Sequence, residues 1–170
     1  ERLAPAVLPT SVAVPTMPAS PTGFPLASSA CTLGTCDSGT PLTADEAEDY
    51  HRVQLETLSN TGVDLVSAMT LNNIPEAVGL SRAAARIGLP LSLSFTLDST
   101  FRLKSGPSLK EAIEAVDAQA GDARPDFYGI NCSHPIEFEP ALEPGAWFER
   151  VRSLRPNAAK MDKISLCELG

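Results

Sequence analysis

The sequence predicts an α/β fold built on a parallel sheet with crossover helices. Helical and strand patterns alternate at least three times over about 115 residues, which is the mark of such a sheet. Capping residues stand at the heads of the helical stretches, and glycines close them. The runs between the helices are short and apolar, as strands are.

The elements follow in order from Thr43. Thr43 to Glu46 is a capping box: the hydroxyl and the carboxylate satisfy free amides at a helix start. Ala47, His51, Leu55 and Leu58 then fall on one helical face, and Gly62 is the stop. Residues 63–68 are a short apolar run, hence a strand. Pro75 opens the next helix, where its missing amide costs little, and that helix runs to Gly88. Residues 91–96 form the next strand. Ser108 caps a helix whose apolar stripe is Leu109, Ala112, Ile113 and Val116. Residues 126–131 are a further strand. Trp147, Val151 and Leu154 lie at helical spacing and predict one more helix, with a short strand starting near Pro156 and Asn157.

Residues 1–40 have another character. They are rich in Pro, Ala, Ser and Thr and lack either periodicity, so the first 28 read as an irregular Pro-rich segment. Apolar pieces at 6–8 and 12–14 are candidate edge strands within it.

Composition narrows the function. The 170 residues suit one domain, with 43% apolar residues for a core and only 5% aromatics. A net charge of −8 argues against a sequence-independent nucleic-acid surface, which needs clustered Lys and Arg. No Pro-free run of 18 apolar residues predicts a membrane span. Residues 3–36 carry no charge, but Pro5, Pro9, Pro15, Pro18, Pro21 and Pro25 interrupt any secretory signal. The expected compartment is therefore a reducing cytoplasm, with free thiols. There is no Gly-rich phosphate loop and no Gly-x-Ser-x-Gly elbow.

In folds of this class the chemistry sits at the carboxyl ends of the strands. Here those ends bring Thr70, Thr96, Asn131 and Asn157 forward, and Cys132 follows directly on a strand. A thiolate in that place can bind zinc or act as a nucleophile, while a small buried residue is the equal alternative. His134 reads as a hydrogen-bonded loop residue and His51 as structural. Asp98, Glu137, Glu139 and Glu143 read as solvated loop charges. Cys31 and Cys36, with four residues between them, have no second close pair to complete a metal site, and Cys167 stands alone.

The ordered set of motifs resembles the homocysteine S-methyltransferase family. It comprises Val63 to Thr70, Ser94 to Thr96, Ser105 and Gly106 followed by Leu109 to Ile113, Gly129 to Pro135, and Ser153 to Ala158. The resemblance covers residues 29–170. It implies a (β/α)8 barrel domain there, present as about four to five β/α units. It implies transfer of a methyl group to the sulfur of homocysteine, giving methionine, from S-adenosylmethionine, S-methylmethionine or a methyl-folate. It also implies zinc held by three cysteines, with Cys132 as one ligand, and substrate contacts at Thr70, Thr96 and Asn131. The Gly-Gly-Cys-Cys that supplies the other two ligands is not in these 170 residues, and Met69 stands where some members carry a substrate-binding Glu. The resemblance therefore reads the chain either as part of such an enzyme or as a non-catalytic remnant that self-associates through open sheet edges.

Overall fold

The computed structural model describes residues 11–14, as backbone, and 43–159. The remaining expectations for residues 1–28, and Cys31, Cys36 and Cys167, lie outside the described residues. Five strands are present: β1 Ser11–Val14, β2 Leu65–Leu71, β3 Leu91–Phe95, β4 Phe127–Asn131 and β5 Val151–Arg155. Four helices join them: α1 Ala44–Ser59, α2 Ile74–Arg86, α3 Leu109–Ala120 and the single turn α4 Pro135–Phe138. The strands pair in sequence order, and every pairing is parallel. The segment at 12–14 is thus a strand, on the β1 edge of the sheet.

The helix starts form as the sequence predicts. Thr43 with Glu46, and Ser108 with Glu111, close capping boxes. Asn73 caps α2 by accepting from the Glu76 amide. The amides bonded to Glu46 and Glu111 favour the charged carboxylate and hold both below the usual carboxylate range. A depressed pKa gives stability that is present above the unfolded-state pKa and lost as pH falls through the folded one. NMR titration of the side-chain carboxyl carbons should therefore place Glu46 and Glu111 below the exposed glutamates. Ordinary values at both would mean that the boxes do not form in solution.

The two faces of the sheet differ in chemistry. Val66, Ala68, Leu91, Leu93, Phe95, Tyr128 and Ile130 are buried in the core with the apolar sides of α2 and α3. The alternate residues, Ser67, Ser92, Ser94, Gly129 and Ser153, line the other face. Ser92 donates to Ser67 at 2.9 Å. A Cβ on Gly129 would stand 2.6 Å from Ser94 Oγ and 2.9 Å from Ser153 Cβ, so only glycine fits there.

Helices α1 and α2 pack closely because Gly79 lets them. A Cβ at Gly79 would meet the Ala44 carbonyl at 2.5 Å and the Glu48 amide at 2.6 Å. Helix propensity alone favours Ala there by about 1 kcal/mol. The backbone contact reverses the sign, and Gly79→Ala should destabilise the chain by about 2 kcal/mol in urea unfolding. A stabilised variant would show that the helices lie further apart in solution. Between the same helices His51 Nε2 lies 3.2 Å from Glu76 Oε1, with both side chains fully buried. This is the structural role expected of His51.

Two expectations need correction. Residues 147–155 are not a helix. They form a 3-10 turn at Phe148–Arg150 followed by β5, which ends rather than begins at Arg155. Trp147 is 7% exposed and Leu154 is 52% exposed, so the residues at helical spacing share no face. The physical cause is Arg150. It makes two hydrogen bonds to the Asp117 carboxylate, at 3.0 and 3.1 Å, and caps the carbonyls of Pro125 and Asp126. That clamp delivers the chain to the open edge of β4, where ladder hydrogen bonds replace helical ones. Tyr128 joins it by donating to Asp117 at 2.8 Å, and burial followed by that carboxylate pushes its phenol far above the usual range. The second correction is Glu137. It is buried rather than solvated, because its carboxylate accepts the His134 amide at 2.7 Å to close the cap of α4.

Candidate functional site

At the carboxyl end of β2 the ladder slips. Ala68 pairs with Leu93 and Leu71 with Phe95, so β2 has one residue more than β3. The bulge puts Thr70 at φ 67°, rare for a β-branched residue, and turns its side chain toward β4. Across the sheet, Cys132 leaves β4 at φ 53°. Two left-handed non-glycine residues thus face each other at one end of the sheet.

Asn131 joins them. Its Oδ1 accepts the Thr70 amide at 2.8 Å, and its Nδ2 donates to Thr70 Oγ1 at 2.7 Å and to Cys132 Sγ at 3.2 Å. An asparagine cannot bridge two strand spacings, about 10 Å in a flat sheet. The sheet is therefore curved, and concave on this side. Thr70 Oγ1, already an acceptor, directs its own proton toward Cys132 Sγ at 4.0 Å.

The backbone around the thiol is held from every side. The Cys132 amide donates to the Arg155 carbonyl at 3.1 Å, and Asn157 donates to the Cys132 carbonyl at 3.1 Å. Thr96 Oγ1 donates to the Asn131 carbonyl at 3.0 Å. Buried Ser133 accepts from the Leu97 amide at 2.8 Å and so ties the loop after β4 to that after β3. His134 caps α4, its Nδ1 accepting from the Ile136 amide at 3.3 Å, the loop role expected of it. Asp98 is exposed and accepts from Thr100.

The four residues singled out in the sequence, Thr70, Thr96, Asn131 and Cys132, thus form one hydrogen-bonded cluster. Thr70 and Cys132 are partly exposed, whereas Asn131 and Thr96 are 3% and 7% exposed and directed at protein atoms. Sequence reasoning missed Ser133 and the reach of Arg155. Arg155 crosses from β5 to place Nη1 3.1 Å from Met69 Sδ. A Ser directly after Asn-Cys at a strand exit was the available signal for the first. Nothing local signalled the second.

No group of three or more His, Cys, Asp or Glu able to hold a metal occurs among the described residues. Cys132 is the one thiol among the described residues, and the Asn131 carboxamide turns an N–H rather than its oxygen toward it. The described residues by themselves therefore do not fit zinc, which takes at least three protein ligands.

A curved parallel sheet with a hydrogen-bonded cysteine at its carboxyl ends defines an α/β domain whose candidate site is centred on that thiol. Residues 14–165 match the homocysteine S-methyltransferase family, and the chain belongs to it. Homocysteine S-methyltransferase 4 of Zea mays is 29% identical over 101 residues, which are 58% of this chain and 29% of that protein. Homocysteine S-methyltransferase 2 of Arabidopsis thaliana is 28% identical over 99 residues, 57% of this chain and 29% of that protein. The matches thus span less than a third of these curated relatives. Among solved structures, the apo homocysteine methyltransferase MmuM from Escherichia coli has the same fold, with a TM-score of 0.60 at 17% identity. The likeness covers 96% of this chain and 63% of that one. The metallated form gives 0.55 at 19% identity, over 83% and 56%. No helix among the described residues is long and apolar enough to cross a membrane.

Proposed function

We propose that this chain provides the cysteine-bearing part of a homocysteine methyltransferase site, in the making of methionine. The reading rests on the Cys132 thiol, held by Asn131 at the carboxyl ends of a concave sheet, in a chain of this family. The curved sheet is then an arc of a (β/α)8 barrel. In the reaction the homocysteine thiol gives up its proton to solvent, and a lone pair of the resulting thiolate forms the new S–CH3 bond. The donor's bond to that methyl breaks and leaves its electron pair on the donor, S-adenosylmethionine, S-methylmethionine or a methyl-folate. Thr70 meets the substrate, while Thr96 and Asn131 stand behind it and fix the site's shape. Were zinc present, Cys132 would be the residue to hold it, by one thiolate. Bound zinc supplies acidification of a substrate thiol. A free Cys132 thiol supports a reducing, cytoplasmic setting as part of this reading.

The test is methionine formation by the purified chain from homocysteine with each donor in turn. Product with any one of them would support the catalytic reading for the chain by itself. No product with any donor, zinc supplied, would remove the catalytic reading from this chain.

A second reading is self-association. Among the described residues β5 is paired on its β4 side alone, and Leu154 on it is 52% exposed. An uncovered parallel edge invites another strand. Light scattering should then show mass rising with concentration, and a monomer throughout would remove this reading.

A further inference from the structure

The Arg155 side chain lies across the mouth of the site. Arg155 is the ladder partner of Asn131, and its guanidinium reaches over from β5 to Met69 on β2, the residue before Thr70. It therefore overlies the cluster that holds the Cys132 sulfur. Its one hydrogen-bond acceptor among the described residues is the Met69 thioether at 3.1 Å. A thioether is a weak acceptor, whereas the planar guanidinium matches two carboxylate oxygens. The side chain is also exposed, so an incoming anion need not displace a buried ion pair.

The carboxylates near these strand ends are engaged elsewhere. Asp98 accepts from Thr100. Glu137 accepts the His134 amide. Glu76 is buried against His51. The position facing Arg155 is a neutral Met69. The strand ends thus offer a cation on the face that carries Asn131, and among the described residues no carboxylate hydrogen-bonds to any member of the cluster.

We propose that Arg155 is the anion receptor of this site, which takes thiol compounds bearing a carboxylate and selects them by that carboxylate rather than by an ammonium group. The inference names the substrate class of the site proposed above and rests on that reading for its location alone. Arg155 is a specificity residue, and Met69 keeps its guanidinium available by not pairing with it.

The test uses the full chain with Cys31, Cys36 and Cys167 changed to Ser, so that Cys132 is the sole thiol. Its alkylation rate is measured with iodoacetate, an anion, and with iodoacetamide, its neutral analogue. In both, the sulfur forms an S–C bond and iodide leaves with the C–I electron pair, so the ratio of rates cancels the thiolate fraction and reports local charge. Arg155→Gln should lower the iodoacetate-to-iodoacetamide ratio about fivefold at low salt, and the difference should shrink toward about 1 M salt. Arg155→Lys should keep most of the ratio. Met69→Glu should lower it as Arg155→Gln does, by pairing with the guanidinium. An unchanged ratio in Arg155→Gln would overturn the proposal. So would a folded chain whose Cys132 reacts with neither reagent, since the mouth would then be closed to ligands. No metal, donor or turnover enters the measurement. It can therefore succeed where methyl transfer fails, and methyl transfer without a ratio change would remove Arg155 alone.

Discussion

Cys132→Ser is expected to abolish methionine formation, by at least about a hundredfold, while leaving the fold intact. On the proposed function Cys132 is a metal ligand: sulfur is a soft thiolate donor and a serine hydroxyl is not, and loss of even an outer partner of a metal ligand costs about 10- to 100-fold. The fold should survive because the two side chains are close in size and Cys132 is only partly buried. Asn131 Nδ2 can donate to a serine oxygen as it does to the sulfur. The expected change in stability is within about 1 kcal/mol. The measurement pairs product formation with urea unfolding on the same preparation. A serine variant as active as its parent would take Cys132 out of the chemistry.

The second large effect is Asn131→Ala. It leaves the part-buried Thr70 amide without its acceptor and frees a residue that the carboxamide holds in the left-handed region at φ 67°. An unsatisfied buried donor costs about 1–3 kcal/mol, and a left-handed β-branched residue stores about as much strain. We expect a loss of about 2 kcal/mol, together with loss of any methyl transfer, because Cys132 loses its orienting donor. The decisive comparison is a double-mutant cycle with Thr70→Gly. Glycine adopts a positive φ without help. In that background Asn131→Ala should cost only about 1 kcal/mol, a coupling of about 1 kcal/mol. Additive effects would mean that something else holds the end of β2.

Much of this was legible in the chain because it is local. Thr43 with Glu46 and Ser108 with Glu111 need only three residues to close a cap, and both are read from the sequence and found in the structure. The apolar runs of β2, β3 and β4 announce themselves for the same reason, with ends a few residues adrift. β2 runs on to Leu71 because the bulge lets it. The segment at 147–155 failed for the opposite reason. Its spacing is helical, but the contact that decides it joins Arg150 to Asp117, 33 residues away. Glu137 failed because a cap of one turn leaves no periodicity to read.

The sequence by itself determined the alternation of elements, the family resemblance, and the position of Cys132 just past a strand. It also named Thr70, Thr96 and Asn131 as strand-end residues, since position along a strand is a one-dimensional property. Only the tertiary structure decided what those residues do to one another. Thr70 and Asn131 are 61 positions apart, and Met69 and Arg155 are 86 apart. Their contacts exist because a bulge and a concave sheet bring the ends of β2, β4 and β5 together. Curvature is a property of how strands pack side by side, and no single strand carries it.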